Sequence, residues 1–352
     1  MAKDNQQPTN GLASVGVFAR GKFCGNLQVC RPCEFLRSPA RTPSRQPLGA
    51  IWQTLNNRKN YMEIRLGYIE QYETGYSTFL DKELTEQDYE NYILHIDELN
   101  NFENLRRLFQ IFLLNHNEFI EFAIADSKLL FENSLSITGN KENYNKHFLN
   151  LNRIFLNYLT SFRTLLDHIE TTVKRKYVKS TKETTFFKEA TAYLFDNFFA
   201  YRFIYKLRNY AQHCGLPIDE FSISATKVTD DKFKTEYKID FDCVTLLKKF
   251  NEWGPVRDDL KKYSKISVFP ILDEMKFAID ILWNNITSIF ESNIDNAIDF
   301  LMDNAGYLKN EGCEVCIFTE MKTDENGNLK YFTNQPIPFD IIEELIKTKN
   351  CT

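Results

Sequence analysis

Long runs in which bulky apolar residues recur every three or four positions constrain this chain more than any other feature. Leu105, Leu108, Phe109, Phe112, Leu113, His116, Phe119 and Ile120 follow that spacing. It gathers them on one face of a helix that must be covered by another apolar face. Phe148, Leu151, Phe155, Tyr158, Leu159, Phe162, Leu166 and Ile169 repeat the pattern between about Asn143 and Tyr177. A third run extends from Leu272 to Ala305 and is closed by Gly306. The fold class expected is mainly α, a helical bundle. With 30 Phe and 17 Tyr in the chain, its core is expected to be rich in aromatic rings.

Local signals set the expected ends. Thr85-Glu86-Gln87-Asp88 resembles a capping box and opens a helix toward Leu99. Lys174, Arg175 and Lys176 close the helix near Tyr177, where the negative helix end favours cations. Ser180-Thr181-Lys182-Glu183 is a second capping box. It is expected to start one helix that runs to Cys214 and stops at Gly215-Leu216-Pro217. The short connection makes these two helices an antiparallel pair. Two small β-hairpins are expected as well. Phe221 to Val228 pairs with Glu236 to Val244, and Cys313 to Met321 pairs with Leu329 to Phe332.

The expected organisation is a leader over residues 1–61, N-terminal helices over 62–142, a helical pair over 143–220, and a hairpin, long helix and second hairpin over 221–352. The leader stands apart in composition. It carries half of the 10 prolines, and its basic residues are mostly Arg. It reads as a disordered or non-native extension, with a transit peptide as the rival reading. No stretch reaches the apolar length of a membrane span.

A net charge of −5 argues against a protein that coats nucleic acid, while leaving room for a local basic cleft. The scattered cysteines suit a reducing, cytoplasmic setting. Cys313 and Cys316 would need Cys30 and Cys33 to complete a zinc site. Positions along a strand explain them more simply, so neither a metal nor a cofactor is expected.

The segment that stands out chemically is Arg208-Asn209-Tyr210-Ala211-Gln212-His213. Asn209 and His213 are four apart and share a helix face, as do Arg208 and Gln212. Arg208 and His213 are five apart, which places them about 140° around the helix from each other. Leu194, Phe198, Tyr201 and Tyr205 form a stripe that leads to Arg208, so its guanidinium is expected to emerge from a packed seam. A half-buried guanidinium calls for an anionic or carbonyl partner, and an RNA phosphate is one.

This motif resembles that of the HEPN superfamily of helical proteins, many of which are ribonucleases. The resemblance covers about residues 143–218. It implies a four-helix bundle and metal-independent RNA cleavage, with two copies often paired. It further implies that His213 moves a proton at the ribose 2′-hydroxyl or the leaving oxygen. Arg208 would hold phosphate and stabilise transition-state charge, and Asn209 would orient the His or touch phosphate. By the same analogy, a role in antiviral defence or as a toxin is implied.

Two other arrangements stay open. Arg163-Thr164-Leu165-Leu166-Asp167-His168 fits the bare Arg-x4-His spacing too. Alternatively, Arg208 and His213 simply cap carbonyls and pair with an acid, in a helical scaffold or an RNA-binding module without turnover. Counting from Ser180 as the midpoint of the helical pair puts Asn152 and Arg153 level with Arg208, and His147 level with His213. These three residues, with Gln212 and Tyr210, are the candidate binding residues. The same count places Arg163 and His168 beside Asn197 and Ala192, away from the motif.

Overall fold

The computed structural model describes residues 63–350, apart from 74, 133–139, 178–180, 230–231, 324 and 326–328. The leader therefore lies outside the described residues, as does Ser180. The described chain is mainly helical, at 68%, with two small antiparallel sheets. The helices are α1 (Glu86–Glu132), α2 (Lys141–Lys176), α3 (Lys182–Asn197), α4 (Phe199–His213), α5 (Cys243–Lys249), α6 (Val256–Leu260), α7 (Val268–Ala305) and α8 (Phe339–Asn350). The strands are β1 (Arg65–Tyr72), β2 (Gly75–Glu83), β3 (Glu220–Thr229), β4 (Lys232–Asp242), β5 (Lys265–Ser267), β6 (Cys313–Thr323) and β7 (Leu329–Pro336). None of the described helices is long and apolar enough to cross a membrane.

The chain divides into two compact units, and α1 and α7 contribute to both. One spans Glu98–Asp295. Its core is built from the expected stripes: Leu105, Phe112 and Phe119 of α1 and Leu151, Phe155, Tyr158 and Phe162 of α2 are fully buried. Their rings meet directly, Phe119 on Phe155 and Phe112 on Tyr158 at centroid distances of 5.1 and 5.3 Å. Burial of such faces outweighs the weak helix preference of aromatic residues. Glu103 is buried in the same unit, and its charge is answered by Arg106 and Arg107 at 2.5 and 2.7 Å. A buried carboxylate persists only with partners of this kind. The hairpin β3–β4 is extended by β5 into a three-stranded sheet.

The other unit joins the described residues up to Asp97 with those from Asn296 onward. Its sheet has the order β2-β1-β6-β7, with every neighbour antiparallel. Tyr92 on α1 packs edge-on against Phe300 of α7 and donates its hydroxyl to the Asn304 carbonyl at 3.0 Å.

Several expectations change. Strands β1 and β2 pair as a hairpin where N-terminal helices were expected. Most of β2 is exposed, so its side chains lack the alternation that marks a half-buried strand. The two N-terminal helical runs are one continuous helix, α1. Its start is as expected: Thr85 Oγ1 accepts from the Asp88 N–H at 3.1 Å, and the Asp88 carboxylate accepts from the Thr85 N–H at 3.0 Å. The helix expected from Ser180 to Cys214 is two helices, with Thr181 as the N-cap of the first and a break at Phe198. Residues from Cys243 onward, expected in the strand, turn into α5 because the Asp242 carboxylate caps the Thr245 N–H at 2.9 Å.

Candidate functional site

The motif helix α4 begins where the chain bends. Phe198 is extended (φ −113°, ψ 113°) and ends α3 while opening α4. Arg202 stabilises this joint. Its guanidinium donates to the carbonyls of Phe195 and Asp196 at the end of α3, and it pairs with Asp259 of α6 at 2.9 Å. One cation thus satisfies helix-end carbonyls that would otherwise lack partners and fixes α4 to α6.

The buried face of α4 is aromatic. Phe203 and Tyr210 both stack on Trp253, at 6.0 and 6.1 Å, and Trp253 is fully buried with its indole N–H donated to the Leu246 carbonyl. Tyr201 meets Phe162 of α2 edge-on at 5.7 Å. The helix ends at Cys214, whose N–H bonds to the Tyr210 carbonyl at 2.8 Å. Gly215 is not the left-handed cap its identity suggested, since the positive-φ glycines among the described residues are Gly254 and Gly312.

The motif residues divide around this helix. Arg208 is half-buried and donates to the side-chain oxygen of Gln212, which is itself exposed. No carboxylate pairs with Arg208 among the described residues. Tyr201, Tyr205, Arg208 and Gln212 recur at helical spacing on the flank that meets α2. Asn209 is half-buried and His213 exposed, and neither side chain has a hydrogen-bond partner among the described residues. The two lie together about 100–140° away from Arg208 around the helix. Tyr210 points inward and is wholly buried, with no partner for its hydroxyl among the described residues; burial, followed by the charge of Asp219, raises its pKa.

The candidates on α2 sit elsewhere. Asn152 is buried and binds the backbone of Ile218 on both sides: its amide donates to the Ile218 carbonyl at 3.1 Å and its oxygen accepts the Ile218 N–H at 3.2 Å. It secures the chain just after the motif. Arg153 is exposed and lies 3.8 Å from Glu118 of α1. His147 is buried among Phe122, Phe221 and Tyr237, with a 2.7 Å bond to the Tyr237 hydroxyl.

Arg163 corrects the expected register. Instead of lying beside Asn197, it covers the ring of Tyr205 at 4.9 Å, one turn before Arg208. Its guanidinium also grips both oxygens of Asp167, at 2.8 and 3.1 Å. Burial opposes the Arg163 charge, but Tyr205 and Asp167 outweigh it and raise the pKa. The midpoint count assumed that α3 and α4 form one straight rod. The break at Phe198 interrupts that rod, and the level of Arg163 is shifted along α4 to Tyr205. His168 is exposed on the solvent side of α2. The second Arg-x4-His spacing therefore contributes its Arg beside the motif helix, while its Asp167 serves that Arg.

Neither family models, curated proteins nor solved structures match this chain.

Proposed function

We propose that this chain acts on RNA as a HEPN-type endoribonuclease that needs no metal, with its reacting groups supplied by α4. The observation that carries this reading is the state of the motif. Arg208 is anchored on a rigid helix with only a neutral amide as partner, and His213 at the same helix end is exposed and unpartnered among the described residues. An arginine held only by a neutral amide keeps its charge for a phosphate, and an exposed imidazole is open to substrate.

In the proposed reaction the ribose 2′-oxygen attacks phosphorus as His213 takes its proton. The bond to the 5′-oxygen breaks, and that oxygen takes a proton from water, which the protonated His213 then replaces. A 2′,3′-cyclic phosphate and a 5′-hydroxyl remain. Arg208 holds the phosphate oxygens and offsets the charge that grows on them. Arg208 and His213 lie about 140° apart around α4, on different flanks. We take the site to be shared between two copies, Arg208 of one facing His213 of the other. The same separation favours a second reading, an RNA-binding protein without turnover.

Incubation of the purified protein with total RNA tests the proposal. Cleavage that survives EDTA, leaves cyclic phosphate ends and disappears in Arg208→Ala and His213→Ala supports it. Binding without cleavage selects the second reading, and cleavage lost only in chelator rejects the metal-free mechanism.

A further inference from the structure

Arg163 and Arg208 come from different helices, yet both belong to the flank of α4 that carries Tyr205. Arg163 lies 4.9 Å over the Tyr205 ring, and Arg208 follows Tyr205 by three residues, a rise of roughly 4.5 Å along the helix. Tyr205 is itself held, edge-on at 6.3 Å, by Phe195 of α3. An arginine stacked on a fixed ring is preorganised, because its planar fork cannot swing freely. Arg163 is part-exposed and its one carboxylate partner, Asp167, is about half exposed. Water competes for the half-exposed Asp167 carboxylate, and a phosphate, which carries more negative charge, competes for the same fork. The two oxygens of Asp167 occupy the fork as two oxygens of a phosphate would.

We propose that Arg163 is a second phosphate-binding residue beside Arg208, occupied by Asp167 until a neighbouring phosphate of a single-stranded RNA backbone displaces that carboxylate. The inference rests on the reading of the protein as RNA-directed and deepens it. The site would span two phosphates, with Arg208 holding the reacting one and Arg163 the next. The ligand class is thus an oligonucleotide of at least two phosphates, and a mononucleotide would engage only half of the strip. Tyr205 positions Arg163 and does not itself contact the reacting atoms.

The test measures affinity of the full chain for a fluorescein-labelled oligouridylate by polarisation, across a series of salt concentrations. Arg163→Ala is expected to weaken binding by about tenfold and to reduce the salt slope by about 0.7, the share of one phosphate contact on a single strand. Asp167→Asn is expected to act in the opposite direction and tighten binding. That result does not arise from a damaged fold, and Arg163→Lys should restore part of the loss. If Arg208→Ala weakens binding while Arg163→Ala and Asp167→Asn change neither affinity nor slope, the Arg163 proposal is overturned and the RNA reading stands. A wild-type chain that does not bind the oligonucleotide overturns both.

Discussion

Asn152 shows how a polar residue at a candidate position can also serve the fold. It is buried, and it satisfies both the N–H and the carbonyl of the buried Ile218. Asn152→Ala would strand two backbone groups, and we expect a loss of about 2–4 kcal/mol of stability with RNA cleavage retained well below the melting temperature. Thermal denaturation beside a cleavage assay checks this, and lost cleavage in a folded variant would put Asn152 back in the site. His116 supplies a pH prediction. It is buried against Tyr158, and neither its Nδ1 nor the Tyr158 hydroxyl has a partner in the core. Burial lowers its pKa, aided by Lys276 and opposed by Asp273 and Asp280. Below its ordinary value of 6.5 the unfolded chain takes up a proton that the folded chain refuses. Stability should therefore fall with pH in that window, by up to about 1.4 kcal/mol per pH unit. His116→Leu should flatten the dependence, and equal slopes in the two proteins below pH 6.5 would contradict it.

Among the elements, β1 carries the sharpest steric constraint. At Gly67, where the β1–β2 register shifts, a Cβ would lie 2.1 Å from the Phe79 carbonyl oxygen. Gly67→Ala should cost about 1–3 kcal/mol, whereas Gly215→Ala, with its nearest contact at 3.4 Å, should be tolerated. Chemical denaturation of the two variants separates them. The long helices were legible in the sequence because their apolar stripes persist over many turns, and the capping box at Thr85 marked a true start. The joint at Phe198 was not legible. Neither glycine nor proline marks it. It depends on Arg202 reaching the carbonyls of α3 and Asp259 together, and Asp259 is far away in sequence. Missing the joint also misplaced Arg163, whose contact with Tyr205 follows from the direction α4 takes after the bend. Arg208 on its packed seam, by contrast, could be read directly from the stripe through Tyr201 and Tyr205.

At the scale of the whole molecule, the proposed chemistry depends on more than one chain. Arg208 and His213 sit about 140° apart on α4, and both are attached to a helix fixed by Trp253, Arg202 and Asn152. A site composed across two copies has a signature that single variants lack. When Arg208→Ala and His213→Ala chains are co-refolded in equal amounts, each mixed pair regains one site, with Arg208 from one copy and His213 from the other. The measurement that tests the account most directly is the RNA cleavage rate of that mixture against each variant alone. A shared site gives inactive parents and a mixture that recovers about a quarter of wild-type activity. A mixture as inactive as its parents, made from a wild-type chain that does cleave RNA, would contradict it.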